Sequence, residues 1–155
     1  MAAAGRALKP HAVLFLCGLN AIRSPMAAAL FRQLFGRSAY AGSAGVRKGE
    51  LDPFAVAAMD EIGLDIHKHR PMTFEELEEL EGLNFDLIVT LSPEAHHQAL
   101  ELTRTLPVEV EYWPTPDPSV VSGNREQRFD AYRDVRDQLM QRIKTRFAWH
   151  PGGNE

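Results

Sequence analysis

Cys17 is the only cysteine in this 155-residue chain, and its neighbours suit a nucleophile. It follows the apolar run at 12–16 and precedes Arg23 by six residues, and Ser24 and Pro25 come next. A strand that enters a helix through a tight loop points several backbone N–H groups and the helix dipole into one concavity. These dipoles favour a thiolate, and an arginine fork can hold two oxygens of a tetrahedral oxyanion. The spacing predicts a cysteine nucleophile in an anion-binding loop.

The alternative is a buried, inert cysteine, which is the commoner fate of a lone cysteine at the end of an apolar strand. Cys-x5-Arg by itself is also frequent by chance. The combination of a strand, Cys-x5-Arg-Ser and an immediate helix start is much rarer and favours catalysis.

Strand and helix patterns alternate along the chain in the order β-α-β-α-(α)-β-α-β-α. Strands are predicted at 12–16, 38–41, 85–91 and 108–113. Helices are predicted at 24–35 with Ser24 as the cap, 53–62 with Asp52 as the cap, 73–81, 93–102 and 125–147. This order predicts an α/β fold with a parallel sheet between two helical layers. We expect one domain over 1–155, with its core at 12–147 and flexible tails at 1–10 and 149–155.

Three polar loops follow predicted strands and should meet at one edge of the sheet, where ligands bind in such folds. They contain Cys17, the segment "TLS" at 90–92 and "WPTPDPS" at 113–119.

Hydrolysis of a phosphate ester needs a group that protonates the leaving oxygen. Asp117, held between two prolines, is the candidate, although an aspartate before proline is also a common turn residue.

The segment "VLFLCGLNAIRSPMA" at 13–27 resembles the signature of the low-molecular-weight protein tyrosine phosphatases and their arsenate reductase relatives. Further matches are "SAG" at 43–45, "HKHR" at 67–70 and "FDLIVTLS" at 85–92. The resemblance implies a three-layer sandwich whose four-stranded parallel sheet has the strand order 2-1-3-4. It also implies a two-step hydrolysis through a cysteinyl-phosphate.

Carried over by position, the resemblance implies that Cys17 is the nucleophile, Arg23 the phosphate clamp, and Asp117 the acid and then the base. The implied phosphate-binding loop consists of Gly18, Leu19, Asn20, Ala21, Ile22, Arg23 and Ser24. The implied supporting hydrogen-bond network consists of Asn20, Ser24, Ser43 and His69.

Several positions depart from the family. Ile22 stands where many members carry a second cysteine, so a protective disulfide within the loop is impossible. Ser119 and Val120 replace the usual tyrosine after Asp-Pro, and 46–50 lacks the expected aromatic residue. These changes weaken a preference for phosphotyrosine.

Two alternatives to a phosphatase acting on phosphotyrosine or other phosphate monoesters stay open. Ser92 replaces the second cysteine of thioredoxin-coupled arsenate reductases, so an internal disulfide relay is excluded. An arsenate reductase that uses an external small thiol, glutathione or mycothiol, needs only Cys17. A non-catalytic phosphate-binding regulatory module would need neither the thiol nor Asp117.

The composition limits the expected partners. The formal net charge is −4, and the sequence has no dense cluster of lysine and arginine. It therefore does not predict binding to nucleic acid or to a membrane. A single cysteine fits a cytoplasmic protein. We expect a phosphorylated protein or a small phosphate ester as the substrate, no metal or cofactor, and a monomer or weak dimer.

Overall fold

The computed structural model describes residues 10–82 and 84–151, in which strands and helices alternate as predicted. The strands are β1 (Ala12–Cys17), β2 (Tyr40–Gly45), β3 (Leu87–Thr90) and β4 (Glu109–Tyr112). The α-helices are α1 (Arg23–Phe35), α2 (Pro53–Asp60), α3 (Phe74–Glu81), α4 (Pro93–Leu102) and α5 (Arg125–Arg146), and Pro118–Val120 forms a 3-10 turn. Most of the predicted tails, 1–10 and 149–155, lies outside the described residues.

The four strands form one parallel sheet in the order β2-β1-β3-β4, which confirms the predicted fold class. β1 lies in the interior of the sheet, and its side chains alternate between two apolar clusters. Val13 and Phe15 join the cluster beneath α1, α2 and α5. Leu14 and Leu16 join the second, beneath α3 and α4. The helices therefore cover both faces of the sheet and hold the end of β1 in place.

Polar side chains cap two of the helices as predicted. Asp52 accepts from the Phe54 N–H at 2.8 Å, and Thr73 and Glu76 exchange the two hydrogen bonds of a capping box. The prediction that Ser24 caps α1 is wrong. The helix begins at Arg23, so its cap position is Ile22, two residues before Ser24, and no side chain caps it. Ser24 lies inside the first turn, where its hydroxyl contacts Cys17 and accepts a hydrogen bond from Asn20.

The second strand lies further along the chain than its predicted range of 38–41. It spans Tyr40–Gly45 because each of its residues pairs with β1, from Ala12 opposite Tyr40 to Cys17 opposite Gly45. Among the described residues, no helix is both long and apolar enough to cross a membrane.

Candidate active site

The loop between β1 and α1 turns its carbonyl groups away from the candidate cavity. The carbonyls of Cys17, Gly18, Leu19 and Ala21 accept hydrogen bonds of 2.9–3.2 Å from backbone N–H groups at 46–52. In a trans peptide the N–H of the next residue points opposite to the carbonyl, and the chain has no cis bonds among the described residues. The N–H groups at 18, 19, 20 and 22 therefore face the other side, where the loop lines a cavity. This arrangement is suited to binding an anion.

Two backbone features make the tight loop possible. Asn20 has a φ of 55°, in the left-handed region that asparagine tolerates better than most residues. Gly45, at the end of β2, passes so close to the loop that a Cβ there would lie 2.9 Å from the Asn20 nitrogen. A glycine is therefore required at this crossing.

Buried hydrogen bonds connect Cys17 to the residues of the expected network. Ser24 Oγ lies 2.9 Å from Cys17 Sγ. Asn20 Nδ2 donates to Ser24 Oγ at 2.8 Å and to Ser43 Oγ at 3.0 Å. Asn20 Oδ1 accepts from the Met72 N–H at 3.0 Å, which anchors the amide from its other end. Asn20 and Ser24 are fully buried, so the polar groups behind the cysteine are satisfied without water.

His69 completes the network from behind the loop. Its Nε2 lies 3.2 Å from the Asn20 carbonyl oxygen and 3.1 Å from Asn20 Oδ1. Because both neighbours are acceptors, Nε2 carries the hydrogen. Burial lowers the pKa of His69, and the hydrogen bond to the Asn20 backbone opposes this effect in part. The neutral Nε2–H tautomer is therefore the form that holds the loop.

Arg23 ties the loop to the segment after β4. Its Nη1 donates to the Thr115 carbonyl oxygen at 2.9 Å, and the Thr115 N–H bonds to the Leu91 carbonyl at 3.1 Å. The guanidinium group is half-buried and lines the cavity beside Cys17. One side of its fork is thus held by protein, which leaves the remaining N–H groups available to an anion in the cavity.

Asp117 lies in the same cavity and precedes the 3-10 turn. Its Oδ1 accepts from the Ser119 N–H at 2.9 Å and from Ser119 Oγ at 2.7 Å. Since Ser119 occupies Oδ1, Oδ2 is the oxygen available to exchange a proton with a ligand. Cys17 and Asp117, a hundred residues apart in sequence, are brought to one cavity at the predicted edge of the sheet.

The cavity has a volume of about 450 Å³, and no aromatic side chain lines it among the described residues. Part of its rim was not predicted from the sequence. Arg47 donates to both carboxylate oxygens of Glu94, at 3.1 and 2.8 Å. Glu94 stands in the first turn of α4, after β3, and this position at the sheet edge was the only available signal.

Several other polar and aromatic residues make structural contacts. Trp113 is buried in the core, Tyr112 stacks on His96 with ring centroids 4.6 Å apart, and neither lines the cavity. Ser92 lines the cavity, but its hydroxyl caps α4 by accepting from the Ala95 N–H. His67 is exposed and pairs with Asp65.

Comparison with known proteins places this chain in a family. The family model described as low molecular weight phosphotyrosine protein phosphatase matches residues 12–148. The chain belongs to this family, as the resemblance of its first loop predicted. Among curated proteins, an arsenate reductase of Bacillus subtilis (strain 168) is 35% identical over 133 residues, covering 85% of this chain and 91% of that protein.

Solved structures show the same fold. YwlE, described as an arginine phosphatase and solved with a phosphorylated active-site serine, is 25% identical with a TM-score of 0.69, over 86% of this chain and 91% of that one; YwlE comes from Bacillus subtilis. The tyrosine phosphatase Wzb of Escherichia coli K30, in complex with sulphate, superposes with a TM-score of 0.71 at 23% identity, over 88% and 96% of the two chains. The family thus includes proteins named for phosphatase and for arsenate reductase activity.

Proposed function

We propose that the chain hydrolyses phosphate monoesters through a cysteinyl-phosphate intermediate. The observation that carries the proposal is that Cys17, Arg23 and Asp117, contributed by two loops, line one cavity. A thiolate nucleophile, an arginine fork and a carboxylic acid are the groups that this reaction needs. A binding module would need the arginine alone.

Each group has a defined part in the proposed steps. In the first step, Cys17 Sγ attacks phosphorus, the bond to the leaving oxygen breaks, and Asp117 gives that oxygen a proton. Arg23 and the loop N–H groups hold the remaining phosphoryl oxygens. In the second step, water attacks phosphorus and gives a proton to Asp117, and the S–P electron pair returns to Cys17. The Ser24 hydroxyl, 2.9 Å away, stabilises the departing thiolate.

The residues at the rim of the cavity bear on which phosphorylated groups it accepts. Phosphotyrosine in proteins is the first class to test, because it is named in the description of the family. The rim offers Arg47, Glu94 and Ser119 but no aromatic side chain among the described residues. We therefore expect a broader choice of phosphate esters than an aromatic slot would allow, and phosphoarginine peptides merit the same assay because of the YwlE likeness.

Reduction of arsenate is the second candidate, and the names of the curated relatives favour it over the first. In this reaction Cys17 Sγ would displace water from arsenate and form a sulfur–arsenic bond. An external thiol would then attack Cys17 Sγ and form a mixed disulfide, while the bonding pair passes to arsenic and reduces it from As(V) to As(III). A second thiol would release Cys17 and form the external disulfide. Because the chain has one cysteine, both thiols must come from outside.

Parallel kinetics on one preparation separate the candidates. The substrates are p-nitrophenyl phosphate, phosphotyrosine and phosphoarginine peptides, and arsenate with glutathione or mycothiol. We expect metal-independent hydrolysis of the phosphate compounds that is lost in Cys17→Ser. Arsenate turnover without phosphatase activity would establish the second candidate. Phosphate binding without turnover of any substrate would indicate a non-catalytic module.

A further inference from the structure

Two arginines at the start of α5 have no carboxylate partner among the described residues. Arg125 and Arg128 are exposed, and no Asp or Glu of residues 10–82 and 84–151 forms an ion pair with either of them. By contrast, Arg47, which lines the cavity, pairs with Glu94, and its neighbour Lys48 pairs with Glu76. In a chain with a net charge of −4, these two guanidinium groups form a local positive patch.

The patch is held in place beside the anion-binding loop by a single ring. The two guanidinium carbons lie 5.0 and 5.2 Å from the centroid of Phe54, within cation–π range. Phe54 packs edge-on against Tyr132 at 5.2 Å, and the Tyr132 hydroxyl donates to Asp52 at 2.7 Å. The Asp52 N–H in turn bonds to the carbonyl of Ala21, a residue that lines the cavity.

The Tyr132 hydroxyl also relates the patch to the loop that carries Asp117. Burial and the hydrogen bond to Asp52 raise the pKa of Tyr132, the charge of Asp117 raises it further, and the charge of Arg128 lowers it. The helix α5, which carries Arg128, also packs against the 3-10 turn that follows Asp117. The positive patch therefore lies on the helix that adjoins the turn after Asp117, the residue proposed to protonate the leaving group.

We propose that Arg125 and Arg128, stacked on Phe54, form a docking surface for an acidic segment next to the phosphorylated residue of a protein substrate. The proposal rests on the phosphatase function proposed above. Charge complementarity selects this partner, because carboxylates beside the phosphorylated residue would meet two guanidinium groups that form no ion pair within the described residues. The ring limits the freedom of both side chains before binding, which reduces the entropy lost on docking.

Binding to the full chain with Cys17→Ser tests the surface without turnover. The probes are two labelled phosphotyrosine peptides that differ only in flanking glutamates or glutamines, measured by fluorescence anisotropy. We expect about five- to tenfold tighter binding of the glutamate peptide, decreasing with salt. The preference should disappear in Arg125→Gln/Arg128→Gln.

Arg142→Gln is the matched control. Arg142 is exposed on the same helix and stacks on Trp113 at 5.1 Å, but it lies about 20 Å from Arg128 at 1.5 Å per residue. Arg142→Gln should keep the preference for the glutamate peptide. Equal binding of both peptides by the parent chain, or an equal loss in Arg142→Gln, would overturn the docking proposal.

A kinetic measurement separates this proposal from the proposed function. In the chain with Cys17 intact, the double variant should hydrolyse p-nitrophenyl phosphate at the parent rate while kcat/KM for the glutamate peptide falls to the value for the glutamine peptide. Failure of the parent to hydrolyse either substrate would refute the phosphatase function, and the anisotropy result would still decide the docking surface.

Discussion

Ser24 Oγ and Cys17 Sγ lie 2.9 Å apart, both buried at the junction of β1 and α1. The hydroxyl already accepts a hydrogen bond from Asn20 Nδ2, which is a donor only. Its own hydrogen is therefore free to point at sulfur, with the Ala44 carbonyl, at 3.4 Å, as the more distant alternative. The Ser24 hydroxyl can therefore donate a hydrogen bond to the sulfur of Cys17.

Removing the Ser24 hydroxyl should slow the reaction more than it destabilises the fold. A hydrogen bond to a charged group contributes about 1.5–3 kcal/mol, so Ser24→Ala should lower kcat for p-nitrophenyl phosphate roughly 10- to 100-fold. Ser38→Ala is the control, because Ser38 is exposed and its hydroxyl donates to the Phe35 carbonyl at 3.3 Å. Parent-like kcat in folded Ser24→Ala would remove Ser24 from the chemistry.

Asp117 should matter in proportion to the need for a proton on the leaving group. General acid catalysis contributes about 10²- to 10⁴-fold, and p-nitrophenolate leaves readily without it. Asp117→Asn should therefore reduce kcat/KM for phenyl phosphate more than for p-nitrophenyl phosphate. Asp60→Asn, at an exposed position at the end of α2, should change neither value. Equal losses on both substrates in Asp117→Asn would argue against a proton donor.

The fold was largely predictable because each strand and helix carries its own local pattern. Asp52 and Thr73 illustrate this, since their caps depend on residues two and three positions away. Features that depend on tertiary packing were missed. Ser24 has the sequence context of a cap, and only its buried neighbours turn it toward Cys17. Gly45 is required because of Asn20, 25 residues earlier, and no local pattern conveys such a crossing.

The half-buried His69 should make the stability of the chain depend on pH. Burial holds its pKa below the ordinary value of 6.5, so just below 6.5 the unfolded chain binds more protons than the folded one. The free energy of unfolding therefore falls as the pH drops below 6.5. His69→Gln keeps an Nε2 donor but cannot take up a proton, and it should lose less stability than the parent between about pH 7 and pH 5.

Urea denaturation at several pH values across that range measures this difference. His97→Gln, at an exposed position on α4, is the control and should follow the parent. A His69→Gln curve parallel to that of the parent would show that His69 does not cause the pH dependence.

The lone cysteine should make oxidative inactivation irreversible. Peroxide converts a thiolate to a sulfenic acid, which proceeds to sulfinic and sulfonic acids unless a second thiol captures it as a disulfide. Ile22 and Cys17 line the same cavity and are 8% and 2% exposed, so Ile22→Cys places a thiol within the same loop. After peroxide, dithiothreitol should restore most of the initial activity of Ile22→Cys and little of that of the parent.

Ala29→Cys, on α1 outside the cavity, should behave like the parent. Mass spectrometry of the treated chains gives a second readout, and it should show a disulfide in Ile22→Cys and added oxygen in the other two chains. Equal recovery of activity in all three chains would mean that a cysteine at position 22 cannot protect Cys17.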